Sequence, residues 1–528
     1  MGFRRFVAFL VLLVPLTLHA EAPGVYAITG GTVHPASGPE IANGVVIIRN
    51  GLIEAVGPSV AIPRDATVID VKGAHVYPGL IDAQTSLGFA AAPPRRRFGG
   101  GGGGGASERP AEPAPDSIAA RNVNISDDDA EARRATGVTS IVTVPSNGIF
   151  NGQSVLLNLG TGPVGSRVIK SPVSTQISFN PRPTWTYPDS LMGVIAFLRQ
   201  NFMDAQRQGV AADIYARTPA GLQRPENDPA LEALQHALKR EVPVVFIADS
   251  VTMMHRAQML AKEFNLRYIL SGARQGYELA DELKSVPVLV SVKWPVAPTD
   301  KDDREDQPLR VIRQRQLAPT TPAALVKSGA TFALVSGAGK TGDFLPGIRK
   351  AIENGLSAED ALRATTIQPA RIFGVDRQLG SLEKGKIANV VVSDKPIFDK
   401  DAKVKRVFVD GREIRLSADD KKPAEGGASP IDGTWAISVR APEGNVAIQA
   451  TLHAEEGKIT GTYSGDRGSG DIRGGSFDAN GFQFTISVTA AGADASDWVF
   501  DGKIDGKNMT GNVTTTLGKF EFSGSKSE

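Results

Sequence analysis

The side chains that most often perform chemistry are scarce in this sequence. Its 528 residues include no cysteine and six histidines, which excludes disulfides, thiolate metal sites, a cysteine nucleophile and a lipidated N-terminal cysteine. The polar groups that remain beside the apolar segments are carboxylates, amides, hydroxyls and guanidinium groups, among them Asp82, Gln84 and Ser86. Side chains of these types can hydrogen-bond a polar ligand without a metal.

The elements that must position these groups alternate in type between residues 119 and 375. A strand, helix, strand order at this spacing indicates a parallel sheet, and its extent of ~250 residues suits a closed (β/α)8 barrel of the TIM type. Apolar runs predict strands at 140–144, 242–247, 267–270, 288–292 and 331–335. Helices are predicted at 231–240, 252–264, 278–283 and 344–354.

Both flanks of this α/β region are rich in β-branched residues and turns. Asn50-Gly51 lies between two apolar runs of residues 26–77, and Asp410-Gly411 lies in a similar setting within residues 376–415. Such pairs are strong signals for β-hairpins. After a predicted linker at 416–430, period-two alternation over 431–528 predicts a separate C-terminal antiparallel β-barrel or sandwich domain.

The C-terminal domain opens on Asp432-Gly433-Thr434-Trp435. This short motif resembles the Gly-x-Trp start of lipocalin- and streptavidin-like barrels. The resemblance implies a tryptophan that plugs one end of the barrel, with ligand binding by this domain as a less favoured alternative.

The N-terminus predicts export. Arg4 and Arg5 precede an apolar run over residues 6–18, which is shorter than the ~20 apolar residues that cross a bilayer. We expect a signal peptide, residues 1–20, with cleavage after Ala20; retention as an uncleaved anchor is the alternative. The mature protein is then periplasmic or secreted in a bacterium. A net charge of +1 argues against nucleic acid or an anionic membrane as the main partner.

An insertion at 88–118 differs from the rest of the chain. It contains three consecutive arginines, seven consecutive glycines from Gly99 to Gly105, and a mixture of proline, alanine and glutamate. This composition buries too little apolar surface to offset chain entropy, so we predict disorder. A tolerated surface insertion is the favoured interpretation, and a mobile lid over the strand that carries Gln84 is the alternative.

Three segments resemble the amidohydrolase superfamily, most of all its imidazolonepropionase-like branch, over about residues 26–415. They are Tyr77-Pro78-Gly79-Leu80-Ile81-Asp82-Ala83, residues 241–249, and residues 355–374 with the closing 379–386. The resemblance implies a TIM-type barrel at 78–375 and a small composite β-sandwich formed by 26–77 and 376–415. It also implies metal-dependent hydrolysis of C–N bonds, with zinc or another divalent ion as cofactor.

The metal ligands of that family are two histidines on the first barrel strand, one each after the fifth and sixth, and an aspartate after the eighth. The corresponding positions here are Gln84, Ser86, Ile247, Gly272 and Gly337. The resemblance therefore predicts the scaffold without its usual metal site, and no cofactor is predicted. The polar residues that it places near the mouth of the barrel are Asp82, Gln84, Ser86, Asp249, Ser271, Arg274 and Ser336.

The favoured functional hypothesis is an exported, metal-free pseudo-enzyme. It would bind a small polar ligand or an active amidohydrolase paralogue. One alternative is an active hydrolase of C–N bonds with a rebuilt site, and another is a binding module of the cell envelope. The catalytic residues are unassigned in each case.

Deletion of residues 92–112 tests the interpretation of the insertion. We expect the melting temperature to change by less than about 5 °C, or roughly 1–2 kcal/mol, because a segment that buries nothing contributes little and loop-closure entropy varies slowly with length. Differential scanning calorimetry of the full chain and the deletion variant measures this. A larger decrease would show that the segment packs against the folded chain.

Overall fold

The computed structural model divides into two compact units, Met1–Asp420 and Lys421–Glu528. It describes residues 24–89, 114–146, 148–182, 186–298, 307–337, 343–416, 429–441, 444–455, 458–465, 468–472, 474–478, 481–488, 496–515 and 518–526. The predicted signal peptide, most of the insertion and most of the linker lie outside these residues. Within the part of the chain that the structure describes, no helix has both the length and the apolar character needed to cross a membrane.

Strands from both flanks of the first unit come together in one sheet, where the resemblance implied a composite β-sandwich. Its eight strands follow the order β18-β17-β16-β5-β1-β2-β3, with β4 paired to β1. They are β1 (Tyr26–Val33), β2 (Ile41–Arg49), β3 (Leu52–Gly57), β4 (Thr67–Asp70), β5 (His75–Pro78), β16 (Val390–Ser393), β17 (Val404–Val409) and β18 (Arg412–Ile414). The antiparallel pair β5 and β16, with Val390 opposite Pro78, joins the two distant segments.

Eight wall segments form the predicted TIM-type barrel. They are β6 (Leu80–Thr85), β7 (Val138–Thr143), β8 with β9 (Phe150–Gln153 and Val155–Asn158), β11 (Thr175–Ser178), β12 (Val244–Ala248), β13 (Tyr268–Gly272), β14 (Val288–Ser291) and β15 (Phe332–Val335). The short β10 (Val168–Lys170) pairs with β9. A parallel bridge between Thr85 and Gly337 closes the barrel.

One wall segment departs from the regular parallel pattern. The β8–β9 segment is antiparallel to β7 on one side and to β11 on the other. The sequence analysis did not predict this segment. Counted around the wall, β12, β13 and β15 are the fifth, sixth and eighth segments. By the resemblance, three of the family's metal ligands follow these segments.

Helices cover the outside of the barrel. They are α1 (Ala119–Asn122), α2 (Asp127–Ala135), α3 (Val164–Arg167), α4 (Leu191–Arg217), α5 (Pro229–Leu238), α6 (Val251–Glu263), α7 (Leu309–Leu317), α8 (Thr321–Ser328), α9 (Phe344–Glu353), α10 (Ala358–Ala364) and α11 (Ile367–Ile372). Three predicted helices are confirmed as α5, α6 and α9. The helix predicted at 278–283 is wrong, because 3-10 turns at Gly276–Glu278 and Glu282–Ser285 occupy that region.

Alternate residues of the barrel strands face different cores. Val245, Ile269, Leu289 and Ala333 belong to one buried cluster with Ile81 and Ala83, which fills the barrel interior. Their neighbours along the strands, such as Phe246 and Leu270, belong to a second cluster shared with helix residues such as Leu260. Because side chains alternate along a strand, membership of these clusters tells which face a residue occupies.

The second unit is a closed antiparallel barrel, as predicted. Its order is β20-β19-β27-β26-β25-β24-β23-β21, and β21 pairs back with β20, while β22 pairs with β21. The strands are β19 (Gly433–Ala441), β20 (Gly444–Glu455), β21 (Lys458–Gly465), β22 (Gly468–Asp471), β23 (Gly475–Asp478), β24 (Gly481–Val488), β25 (Ser496–Asp505), β26 (Asn508–Thr515) and β27 (Gly518–Lys526).

Side chains fill the interior of this second barrel. Trp435 is fully buried, donates its indole N–H to the Ile431 carbonyl at 2.7 Å, and lies 5.6 Å from the Lys526 ammonium. Phe484 and Phe500 stack at 4.9 Å. A void beside Tyr463 and Trp498 measures about 10 Å³, which holds one water at most. These contacts give the described interior side chains a packing role.

Gly79 allows the first unit to turn from sheet into barrel. A Cβ at this position would lie 1.9 Å from Thr139 Oγ1 on β7. We therefore expect Gly79→Ala to lower the free energy of unfolding by ~1–3 kcal/mol, the range typical of overpacking. Chemical denaturation measures this. Gly165→Ala is the matched control, since nothing lies within 4 Å of its Cβ. Equal stability of the two variants would contradict the explanation.

Candidate functional site

A bulge on β6 decides which of its polar residues face the barrel interior. Asp82 pairs with Ile141 and Thr85 with Thr143, so three steps on β6 correspond to two on β7. Ile81 and Ala83 belong to the interior cluster, and Asp82 between them faces the helix layer. The extra residue then turns Gln84 inward instead of outward.

Gln84 is the centre of a neutral hydrogen-bonded group inside the barrel. Its Oε1 accepts from the Ser271 hydroxyl, and its Nε2 donates to Gln176 Oε1 at 3.2 Å. All three side chains are buried. Ser271 lies two residues beyond the interior Ile269, and Gln176 lies opposite the interior Val245. Gln84 and Ser271 are each the last residue but one of their strands, and so lie toward the carboxyl end of the barrel, where sites on this fold lie, while Gln176 is the second residue of β11.

Gln176 was missed by the sequence analysis. It lies on β11, a short strand that composition did not reveal, and it meets Gln84 across 92 positions of sequence. Within the described residues, Gln176 Nε2 donates no hydrogen bond. It is also absent from the fully buried polar atoms that lack a partner, so part of its surface is accessible. This amide nitrogen is a donor available to a ligand in the barrel.

Asp82 and Ser336 form a separate group that faces the helix layer. Asp82 Oδ1 accepts from the Ser336 backbone N–H at 3.0 Å, and Oδ2 accepts from the Ser336 hydroxyl. Arg133 on α2 reaches Oδ2 at 3.1 Å, and both charged side chains are almost completely buried. The expectation that Asp82 and Ser336 line the same pocket as Gln84 is wrong, because the strand alternation points them outward.

Opposing influences act on the pKa of the buried Asp82 carboxyl. Burial raises the pKa of Asp82, while the charge of Arg133 and the hydrogen bonds from Ser336 act in the opposite direction. Arg133 Nε has no partner among the described residues. Arg133 was not recognised from the sequence, since a helical arginine normally lies in solvent. The pair joins the barrel wall to α2.

A second ion pair lies at the rim of the barrel. Asp249 follows β12, and Arg274 donates Nε to its Oδ1 at 3.1 Å and Nη2 to its Oδ2 at 2.5 Å. Arg274 Nη1 also donates to the Lys293 carbonyl at 3.3 Å. Both side chains are partly exposed. The two charges neutralise each other, so neither is a free group aimed into the barrel.

The remaining positions assigned by resemblance carry few donors. Ser86 is half-buried, and its carbonyl accepts from the Phe89 N–H at 3.2 Å. Ile247 supplies an alkyl group. Gly272 and Gly337 have left-handed φ values of 91° and 60°, and a Cβ at Gly272 would lie 2.3 Å from Asp249 Oδ1. No group of three or more His, Cys, Asp or Glu side chains that could hold a metal ion occurs among the described residues.

The five histidines that the structure describes lie away from the barrel interior. His34 hydrogen-bonds His75 in the sheet region at 3.0 Å. His236 and His255 pair with glutamates on the exposed faces of α5 and α6, and His453 lies beside Asp432 in the second unit.

Comparisons with known proteins support the predicted family. Residues 315–414 match the model of the Amidohydrolase family. An amidohydrolase from Thermotoga maritima MSB8 has the same fold as the first unit: the TM-score is 0.62 at 24% identity, over 74% of this chain and 99% of that one. The predicted amidohydrolase resemblance and the predicted fold class are confirmed.

Curated relatives match over a short segment. An adenine deaminase of Clostridium botulinum (strain Loch Maree / Type A3) is 38% identical over 67 residues, which are 13% of this chain and 11% of the relative. The chain thus spans about a tenth of the length of the curated relatives that it matches.

Asp82→Asn tests the assignment of the outward group. Removing the carboxylate charge leaves Arg133 buried without its counter-ion, so we expect a loss of ~3–5 kcal/mol in the free energy of unfolding. Ser336→Ala, which removes one hydroxyl donor and keeps the charges, should cost about 1 kcal/mol. Denaturant titrations of both variants measure the difference. A destabilisation by Asp82→Asn no larger than that of Ser336→Ala would refute the structural assignment.

Proposed function

We propose that this member of the amidohydrolase superfamily is a metal-free pseudo-enzyme that binds a small neutral polar ligand at the carboxyl end of its barrel. The observation that carries the proposal is the Gln84, Gln176 and Ser271 group inside the wall. In this group an amide replaces the first family histidine and is held by hydrogen bonds from two further strands. Such a group can orient a ligand and has no proton to exchange near neutral pH.

The chemistry of the donors supports the absence of a resident metal. A catalytic zinc takes nitrogen, sulfur or carboxylate ligands, normally three, and keeps an open position for water. The five positions aligned with the family ligands supply one amide, one hydroxyl, one alkyl group and two glycines. Asp249, the nearest carboxylate along the chain to Ile247, is occupied by Arg274. These residues do not fit the family's metal, so we derive no catalytic step through one.

The same geometry favours a particular ligand chemistry. The interior group has no net charge, and the rim pair of Asp249 with Arg274 is neutralised internally. An ionic ligand would lose hydration without gaining a counter-charge from the Gln84, Gln176 and Ser271 group. Gln176 Nε2 and the Ser86 hydroxyl remain available to accepting or donating groups of a ligand. We infer a neutral amide, urea or cyclic amide as the occupant.

An active hydrolase with a rebuilt site is the second candidate. Its support is the 67-residue match to an adenine deaminase, a relative whose name describes removal of an amino group from a ring. Residues 315–414, the family-model match, follow β14 and contribute β15 to the wall. In either case the predicted signal peptide would place the mature protein in the periplasm or outside the cell. There, by our proposal, its partner is a small polar ligand or an active paralogue.

Metal content distinguishes these hypotheses most directly. We expect the mature protein, purified from metal-replete cells, to contain far less than one zinc, manganese or nickel ion per chain, because the barrel mouth offers too few suitable donors. Elemental analysis measures this. One ion per chain that is lost in Gln84→Ala or Asp249→Ala would overturn the proposal.

Restoring the first two family ligands should not restore hydrolysis. Gln84→His with Ser86→His supplies two donors where a catalytic zinc needs three, and Gly337 offers no carboxylate to take a proton from bound water. We expect weak zinc binding at most and no turnover of dipeptides or cyclic amides. Adding Ile247→His, Gly272→His and Gly337→Asp should lower the melting temperature, because two of these sites have left-handed backbones.

The control for this series is the wild-type protein on the same substrates, with and without a chelator. Turnover by wild type that resists chelation and disappears in Asp249→Asn would establish the rebuilt hydrolase. Turnover gained by the double variant would show that the missing groups are supplied by residues outside the aligned positions.

A further inference from the structure

We propose a second ligand site, for a small aromatic or hydrophobic monoanion, in a cavity at the other end of the barrel. The cavity has a volume of 1090 Å³ and lies between the composite sheet and helices α9 to α11. Ligand pockets of ordinary size measure ~300–1,000 Å³, so a drug-sized molecule fits this space. The site is independent of the function proposed for the barrel mouth.

Chain topology places the cavity away from the interior group. His75 and Tyr77 line it, and they belong to β5, which leads into the first residue of β6. Gln84 lies near the last residue of β6, some four positions or about 13 Å further along the strand. The helix α9 starts after the carboxyl end of β15, and its later residues Arg349 and Ile352 line the cavity. The two sites are therefore at opposite ends of the strands.

Three arginines give the cavity its anion-binding character. Arg349 is anchored, since its Nε and Nη2 donate to the carbonyls of Phe398 and Asp399 at 2.9 and 2.8 Å. Arg363 on α10 and Arg371 on α11 line the same space. No hydrogen bond or ion pair of either side chain is recorded within the described residues, although Arg363 is only half-exposed. Unpaired guanidinium groups in a cleft are suited to carboxylate recognition.

A rigid aromatic wall lies on the sheet side of the cavity. The rings of His34 and Tyr77 stack at 4.3 Å with an interplanar angle of 8°. His34 is fixed at both nitrogens, by Glu40 at 3.0 Å and by His75 at 3.0 Å. The Tyr77 hydroxyl accepts from the Ile397 N–H at 3.4 Å. A wall that is already ordered loses little side-chain entropy when a ligand binds.

Apolar groups complete the surface and acidic groups limit the ligand charge. Leu362 and Phe398 face the cavity, while Glu353 and Glu359 lie on its helical side and are exposed. Apolar surface beside the two unpaired guanidinium groups of Arg363 and Arg371 suits a molecule with a flat body and one carboxylate. These two glutamates, with Glu40 and Asp399 that also line the cavity, would repel a polyanion. A monocarboxylate with an aromatic body satisfies both conditions.

Isothermal titration calorimetry of the full chain with indole-3-acetate tests the proposal. Tryptamine is the matched probe, with the same ring and the opposite charge. We expect one site per chain for indole-3-acetate and no measurable binding of tryptamine. Arg363→Gln and Arg371→Gln should each weaken binding by about tenfold or more, the loss expected of a charge-assisted hydrogen bond. Arg377→Gln, which lies on the same segment outside the cavity lining, should leave it unchanged.

A stability control and two further variants, Leu362→Trp and Gln176→Leu, keep the result interpretable. Melting curves of the arginine variants show whether the fold is intact, and Leu362→Trp tests the cavity by filling it, which should also abolish binding. Absence of indole-3-acetate binding, equal binding of tryptamine, or unchanged affinity in folded Arg363→Gln and Arg371→Gln would overturn the proposal. Loss of binding in Gln176→Leu with retention in the arginine variants would instead locate the anion at the barrel mouth.

Discussion

Closure of the barrel depends on the buried carboxylate of Asp82. The first and eighth wall strands meet through a bridge between Thr85 and Gly337, and Asp82 adds two hydrogen bonds to Ser336 at this seam. The charge is balanced from outside by Arg133 at 3.1 Å. An open seam would leave two strands with unpaired backbone groups, which closed barrels avoid. The Gly337 N–H also donates to the Gln84 carbonyl at 3.0 Å, so hydrogen bonds from two successive residues hold β15 to β6 at this seam.

A second buried polar group fixes the composite sheet to the barrel. Asn158 donates to Asp410 Oδ1 at 2.6 Å and accepts from Asn389 at 3.0 Å. Asn389 also reaches Ser140 on β7, and burial raises the pKa of Asp410. Buried polar networks with satisfied partners favour one arrangement over its competitors. This network therefore fixes the start of β16 and the turn between β17 and β18 to β7 and β9.

The two ends of the barrel differ in electrostatic character. The carboxyl end holds amide and hydroxyl groups inside the wall, with its charges paired at the rim. The opposite end combines a stacked aromatic wall with the guanidinium groups of Arg363 and Arg371, which have no hydrogen-bond partner among the described residues, and with the anchored Arg349. The two ends of this barrel therefore present chemically distinct groups.

Features set by local backbone preferences were predictable from the sequence. Asn50-Gly51 and Asp410-Gly411 adopt the left-handed φ values that their hairpins require. Ser357 accepts from the Asp360 N–H at the start of α10, a local contact between residues three positions apart. The barrel, its fifth, sixth and eighth strands and the family were also predicted. Tertiary structure alone decided that Asp82 faces outward and Gln84 inward, that Arg133 and Gln176 are their partners, and that residues 150–158 run antiparallel. These features depend on strand register across the barrel, which long-range packing sets and local residue preference does not.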